Sequence, residues 1–147
     1  MIFRNIFKIL SVSISAVLIG IGGYTFIYAK GYSYLLDDPK ACMNCHIMRE
    51  NYNSWHVASH RDIPCNGCHT PHNTFMKYMV KAENGFNHSW AFTLDAPEII
   101  RIKERSASVV EENCIRCHKE TLSGVNIQTH KNHVRCSTCH RTTGHSS

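Results

Sequence analysis

Cys42-Met43-Asn44-Cys45-His46, Cys65-Asn66-Gly67-Cys68-His69, Cys114-Ile115-Arg116-Cys117-His118 and Cys136-Ser137-Thr138-Cys139-His140 are four copies of one pattern, and together they use all eight cysteines of the 147-residue chain. Paired Cys-x-x-Cys also serves disulfides in an oxidising compartment and zinc ribbons, so the second cysteine's neighbour decides between readings. Histidine makes up 11 of the 147 residues, and four independent occurrences after a second cysteine have a chance probability on the order of 10⁻⁵, whereas c-type haem attachment requires that histidine. Two thiols with two residues between them can each form a thioether to one haem edge, and the adjacent histidine then reaches the iron. The expectation is four covalently bound haem c groups, held by Cys42 and Cys45, Cys65 and Cys68, Cys114 and Cys117, and Cys136 and Cys139.

Composition points the same way. The chain is 43% hydrophobic and 18% charged with a net charge of +5, but much of its aliphatic content falls in the first 29 residues. If those leave the water, the remainder has few side chains with which to build a core, and covalently held rings take that place. The propionates of four haems add about eight negative charges, which cancels the basic balance and leaves a nucleic-acid partner without support. The fold expected is mainly α with extensive loops and little or no sheet: one N-terminal transmembrane helix plus a compact multihaem cytochrome c domain.

Arg4 and Lys8 precede an uncharged run from Ile9 to Ala29, which Lys30 closes. At about 1.5 Å per residue this run makes a helix of about 31 Å, the thickness of a bilayer's hydrocarbon core. A cleaved secretory signal is the alternative, but the run is longer than a signal's apolar region and no A-x-A site follows it. The positive flank holds the N-terminus in the cytoplasm, and Tyr24, Tyr28, Tyr32 and Tyr34 form an aromatic belt on the far side. The division expected is residues 1–30 as anchor and 31–147 as a haem domain outside the cytoplasm, in a bacterial inner membrane with membrane lipid as its first partner.

The first cysteines, at 42, 65, 114 and 136, form two close pairs across a long gap, which reads as two paired-haem units at about 31–72 and 110–147. Ser59-His60-Arg61-Asp62 and Thr129-His130-Lys131-Asn132 echo each other ahead of motifs two and four. Within the gap, Phe75, Met76, Met79 and Val80 make an apolar stripe at helical spacing, with Lys77 and Lys81 one turn apart and Phe86, Trp90 and Phe92 following. This helix either packs on haem faces or lies in the membrane interface with its lysines at headgroup level. Asp95, Pro97 and Glu98 read as the start of a second helix leading into Ile99, Ile102, Val109 and Val110.

Four haems have eight axial positions, of which His46, His69, His118 and His140 can supply four. His56, His60, His72, His88, His130, His133 and His145 compete for the rest, and spacing alone does not pair them with particular irons. Met48, three residues after Cys45, can compete with His46 for the first iron or can simply pack on the porphyrin.

An N-terminal anchor followed by four Cys-x-x-Cys-His motifs in two pairs resembles the tetrahaem quinol dehydrogenases. Within that family, Cys42-Met43-Asn44-Cys45-His46-Ile47-Met48 resembles the Cys-x-x-Cys-His-x-Met signature of the small subunits of cytochrome c nitrite reductase. The resemblance covers essentially the whole chain. It implies Met48 rather than His46 as first-haem ligand, with menaquinol approaching the opposite face. Lys81 falls at the family's quinol-side lysine, His88 at a position that is aspartate in some members, and Asp95 is a nearby acidic substitute. By the same resemblance His145 completes the second haem and His60 the third. The fourth haem accepts a lysine from the catalytic partner, with His130 or His133 as internal alternatives.

The function implied is oxidation of menaquinol and delivery of electrons to a soluble periplasmic reductase, the pentahaem nitrite reductase that makes ammonia, in a complex where this chain is a homo-oligomer. The competing readings are a quinol dehydrogenase serving nitrate or trimethylamine N-oxide reductase, a tethered haem sensor or electron store, and a zinc-stabilised membrane adaptor. No residue set resembles a hydrolytic or transferase site.

Overall fold

In the computed structural model, which describes residues 2–94, 101–124 and 134–145, every regular element is helical and no strand occurs among the described residues. Helix α1 (Ile2–Tyr28) takes in Arg4 and Lys8 and so starts earlier than the uncharged run alone predicts. It is long and apolar enough to cross a bilayer, with a mean hydropathy of 2.0 over its most apolar window and none of that window buried. Lys30, at φ 52°, turns the chain out of the helix in the left-handed region, a common way to end one. Gly31 follows where a Cβ would come within 2.5 Å of the Phe26 ring, so a larger residue there would require that ring to move. This helix belongs to one unit, residues 1–33, and the rest of the chain forms a second, residues 34–147.

The second unit opens with a 3₁₀ turn ending at Leu35 and the short helix α2 (Pro39–Cys42). Asp38 caps α2 by accepting from Lys40 N at 2.9 Å, and Pro39 occupies the first turn, where its missing N–H costs nothing. A 3₁₀ turn (His46–Met48) leads into α3 (Arg49–Val57), followed by α4 (Cys65–His69), the long α5 (Thr74–Leu94), α6 (Glu104–Cys117), a 3₁₀ turn (Thr121–Gly124) and α7 (Cys136–Cys139). The helix expected to lead from Asp95 through Ile102 to Val110 is not continuous there: residues 101–103 are not helical, and α6 begins at Glu104 with Lys103 as the extended N-cap residue. The stripe that defines α6 is therefore Ala107, Val110, Asn113 and Cys114, with Ala107 and Asn113 buried. Ile102 stands exposed ahead of it, and residues 95–100 lie outside the described residues.

Side chains alone do not make a core here. Among the described residues only Val80 and Ala107 are buried apolar ones, joined by the polar Thr70, Lys81 and Asn113. The most extensive helix contact joins α4 to α6, and α6 also meets α7, so motifs two, three and four pack in succession. Asn113 is the clamp between α6 and α4: its Nδ2 donates to Cys68 O at 3.0 Å and Thr70 O at 2.9 Å, while Oδ1 accepts from Arg116 Nε at 3.4 Å. Asn113→Ala would leave those carbonyls without a partner in a part-buried to buried setting, at a cost of about 2–4 kcal/mol. Urea unfolding of the holoprotein is expected to show a matching fall in midpoint, with Asn113→Asp recovering little because a carboxylate cannot donate.

Candidate haem and quinol sites

In motifs two, three and four each Cys-x-x-Cys occupies one helical turn, with the histidine ending it. His118 N donates to Cys114 O and His140 N to Cys136 O, both at 2.9 Å. The first motif departs from this. Its helix stops at Cys42, Cys45 is extended at φ −90° and ψ 118°, and His46 opens a new 3₁₀ turn in which Met48 N donates to Cys45 O at 3.0 Å. His46 is exposed there and Met48 half-buried.

Cysteines of consecutive motifs are neighbours. The Cys42 and Cys65 thiols share a hydrogen bond that draws Cys42 down to about 7 and pushes Cys65 up. Cys68 is raised by burial and by Cys117, and Cys114 by burial, Glu111 and Cys68. Glu111 bridges onward, accepting from Cys136 N at 2.9 Å and from Cys136 Sγ at 3.0 Å; burial first, then this contact, pushes the Cys136 thiol up to about 11.

Two pairs of imidazoles face each other across these motifs. The rings of His69 and His145 stand 6.1 Å apart and those of His60 and His118 stand 5.9 Å apart. Two imidazoles on opposite sides of one metal ion are separated by about 6 Å between ring centres, since each metal–nitrogen bond is about 2 Å. His145 Nδ1 donates to Asn51 O at 2.9 Å, which leaves Nε2 as the bare nitrogen. His60 Nδ1 lies 3.1 Å from Ser59 Oγ, and that hydroxyl donates in turn toward Thr143 O at 3.5 Å, so Nε2 is again the free one. Burial and then His145 lower the pKa of His69, keeping it neutral, the form that binds a metal. Together with the missing aliphatic core, these donor pairs fit covalently held haem.

A second constellation surrounds the first motif. Tyr34 is raised to about 12, first by burial and then by Cys42 and Cys45, so its hydroxyl keeps its proton. Its oxygen lies 3.5 Å from His88 Nδ1, the rings meeting edge to face. Burial and the nearby Lys103 lower the His88 pKa, which leaves the imidazole neutral at pH 7. Lys81 is 5% exposed, and its ammonium donates to Leu36 O at 2.9 Å, Asp37 Oδ1 at 3.2 Å and Leu35 O at 3.3 Å. Asp37 also pairs with Lys77 at 2.5 Å and accepts from Asn66 Nδ2 at 2.7 Å. The Lys77 hydrogen bond is the largest of the effects that hold its carboxyl down at about 2.

Asp37, Asn113 and Glu111 are the residues that sequence reasoning passed over, and Tyr34, read as part of an aromatic belt, stands instead beside His88. Asp38-Pro39 is spoken for as a helix start, so the unassigned Asp37 beside it was the available signal. Of the remaining histidines, His56 lies against Tyr52 and Trp55 on α3, while His72 and His140 are exposed. His130, His133 and Asp95 fall outside the described residues.

No family model matches the chain. It is 37% identical to the cytochrome c-type protein NrfH of Wolinella succinogenes over 92% of its own length and 84% of that protein's. It is 33% identical to the cytochrome c nitrite reductase subunit NrfH of Nitratidesulfovibrio vulgaris, over 80% of its length and 72% of that subunit's. Among solved structures it superposes on a chain of the cytochrome c nitrite reductase NrfHA complex bound to the inhibitor HQNO, with a TM-score of 0.64 and 27% identity, covering 92% of this chain and 87% of that one. The motif series, the bilayer-length helix and these likenesses lead to one assignment: the chain belongs to the NrfH family, the membrane-anchored c-type cytochrome subunits of cytochrome c nitrite reductase.

Proposed function

We propose that this chain is a menaquinol dehydrogenase that carries four haem c groups, draws electrons from quinol at the outer face of the bacterial inner membrane, and passes them to the catalytic subunit of a pentahaem nitrite reductase. The observation that carries the reading is the gathering of Tyr34, His88, Lys81 and Asp37 around the first Cys-x-x-Cys-His motif, on a chain with a bilayer-length helix. Covalent haem, when bound at the four motifs, supplies reversible one-electron transfer. His69 with His145 and His118 with His60 would hold two of the irons, Met48 the first, and His140 the fourth.

Oxidising a quinol also requires two protons to leave it, and this chain's own residues provide for that. Neutral His88 has its Nδ1 beside the Tyr34 hydroxyl, and in the tautomer that carries its hydrogen on Nδ1 it presents Nε2 as a proton acceptor. Lys81 is a cationic hydrogen-bond donor for a quinol oxygen, although all its N–H groups already have partners and one must be exchanged. Helix α5 supplies the approach: Phe75, Met79, Phe86, Trp90 and Leu94 stand exposed along one face, while Val80 and Lys81 are buried on the other side. An apolar face with an exposed tryptophan suits the bilayer surface, the source of a lipid-soluble quinol. Arg4 and Lys8 favour a cytoplasmic N-terminus, and the second unit would then lie in the periplasm with the reductase.

His88→Ala is expected to slow reduction by a menaquinol analogue by at least about tenfold while reduction by dithionite stays at the wild-type rate. Stopped-flow spectra at the α-band measure both. Full menaquinol activity in His88→Ala would remove the histidine from proton transfer.

A further inference from the structure

Two segments far from Asp37 in the chain converge on its carboxylate. Asp37 Oδ2 meets Lys77 Nζ at 2.5 Å, and Oδ1 receives both Lys81 Nζ at 3.2 Å and Asn66 Nδ2 at 2.7 Å. The lysines come from α5, whereas Asn66 stands inside the second motif between Cys65 and Gly67. The amide of Asn66 also donates to Leu36 O at 3.2 Å, so both of its partners lie in the segment carrying Asp37. Asp38 already caps α2, and the helix therefore has no need of Asp37.

The burial is lopsided. The Lys81 side chain is 6% exposed and that of Asp37 49%, so the cation is the group taken out of water. Its other partners, Leu35 O and Leu36 O, are neutral carbonyls, which leaves Asp37 as the counter-charge that makes a buried ammonium tolerable. Lys81 acts electrostatically on Cys42, and Asn66 belongs to the second motif, so the network touches both of the first two motifs.

We propose that Asp37 is the positioning residue of the quinol-side lysine: its carboxylate holds Lys81 and Lys77 in place and, through Asn66, locks both to the second Cys-x-x-Cys-His motif. The quinol part rests on the function proposed above; the charge and tethering parts do not. Of the three Lys81 contacts the one to Leu35 O is longest, so the ammonium can give up that carbonyl to a quinol oxygen while Asp37 keeps its grip. Without the carboxylate the ammonium leaves its cage for solvent, and the fixed charge beside the first motif grows by one positive unit.

The test uses purified full-length holoprotein in detergent, with three readouts: the midpoint potential of the first-motif haem, acylation of Lys81 followed by mass spectrometry, and KM against kcat with a menaquinol analogue. Asp37→Asn is expected to raise that potential, because removing a negative charge favours the added electron. It should also turn Lys81 from protected to reactive, and raise KM about tenfold with a smaller change in kcat, the scale of one charge-assisted hydrogen bond. Asp37→Glu restores all three toward wild type. If Asp37→Asn does not assemble, Lys77→Met gives the opposite sign, a lowered potential, with Lys81 still protected. Unchanged potential and unchanged Lys81 reactivity in Asp37→Asn would overturn the proposal, as would a potential shift with Lys81 still protected. A wild-type chain that fails to oxidise menaquinol removes the functional reading instead, and potential and acylation then decide the role of Asp37.

Discussion

Cys65→Ser with Cys68→Ser is expected to abolish the folded second unit rather than merely remove one haem. The second motif is α4 itself, the element that packs most extensively on α6, and its histidine faces His145 at 6.1 Å. Truncating one large side chain in a core costs about 3–5 kcal/mol, and a lost haem empties a far larger volume in a unit whose described residues bury only Val80 and Ala107 as apolar side chains. A domain's whole stability is about 5–15 kcal/mol, so the remaining structure has little margin to survive the loss. A pyridine haemochrome assay and the yield from membranes measure the outcome. Wild-type protein should carry four haems per chain, and the double variant should be nearly absent. A well-folded variant with three haems would show that protein contacts, above all the Asn113 clamp, carry more of the fold than this account gives them.

The second large effect is expected at Met48. The first motif breaks the helical turn that the other three share: Cys45 is extended and His46 starts a separate 3₁₀ turn, which leaves His46 exposed and Met48 half-buried. A thioether ligand favours ferrous iron more than imidazole does and raises the potential, as an electron-accepting first site requires. Met48→Leu should therefore change the visible spectrum, lower the first-haem potential and slow menaquinol oxidation by at least about tenfold, whereas His46→Ala should leave all three near wild type. The reverse pattern would assign the iron to His46.

The motif series, the bilayer-length helix and the all-helical character among the described residues were legible because each is written in local pattern: a five-residue signature, an uncharged run, a 3.6-residue stripe. The start of α6 was not, since the expected helix takes in Ile102, yet residues 101–103 are not helical and α6 begins at Glu104 with the extended Lys103 ahead of it. What sequence reading passed over is long-range. Asp37 finds its lysines 40 and 44 positions away, Asn113 bonds backbone 43 and 45 positions away, and Glu111 reaches Cys136 across 25. Polar side chains of this kind carry no periodic mark, and only the fold decides which carbonyl or ammonium they meet. The pairing of His145 with His69 has the same character, which is why the spacing of histidines left it open while the resemblance named a partner.

Quinol is expected to give its electrons directly to this chain. Purified protein in detergent, free of any reductase and mixed anaerobically with a menaquinol analogue, tests it most directly by the growth of the reduced α-band. Reduction is expected to saturate with quinol, to be slowed in His88→Ala, and to proceed without a partner. Haems that dithionite reduces but menaquinol leaves oxidised, at a potential where electron transfer is favourable, would contradict it.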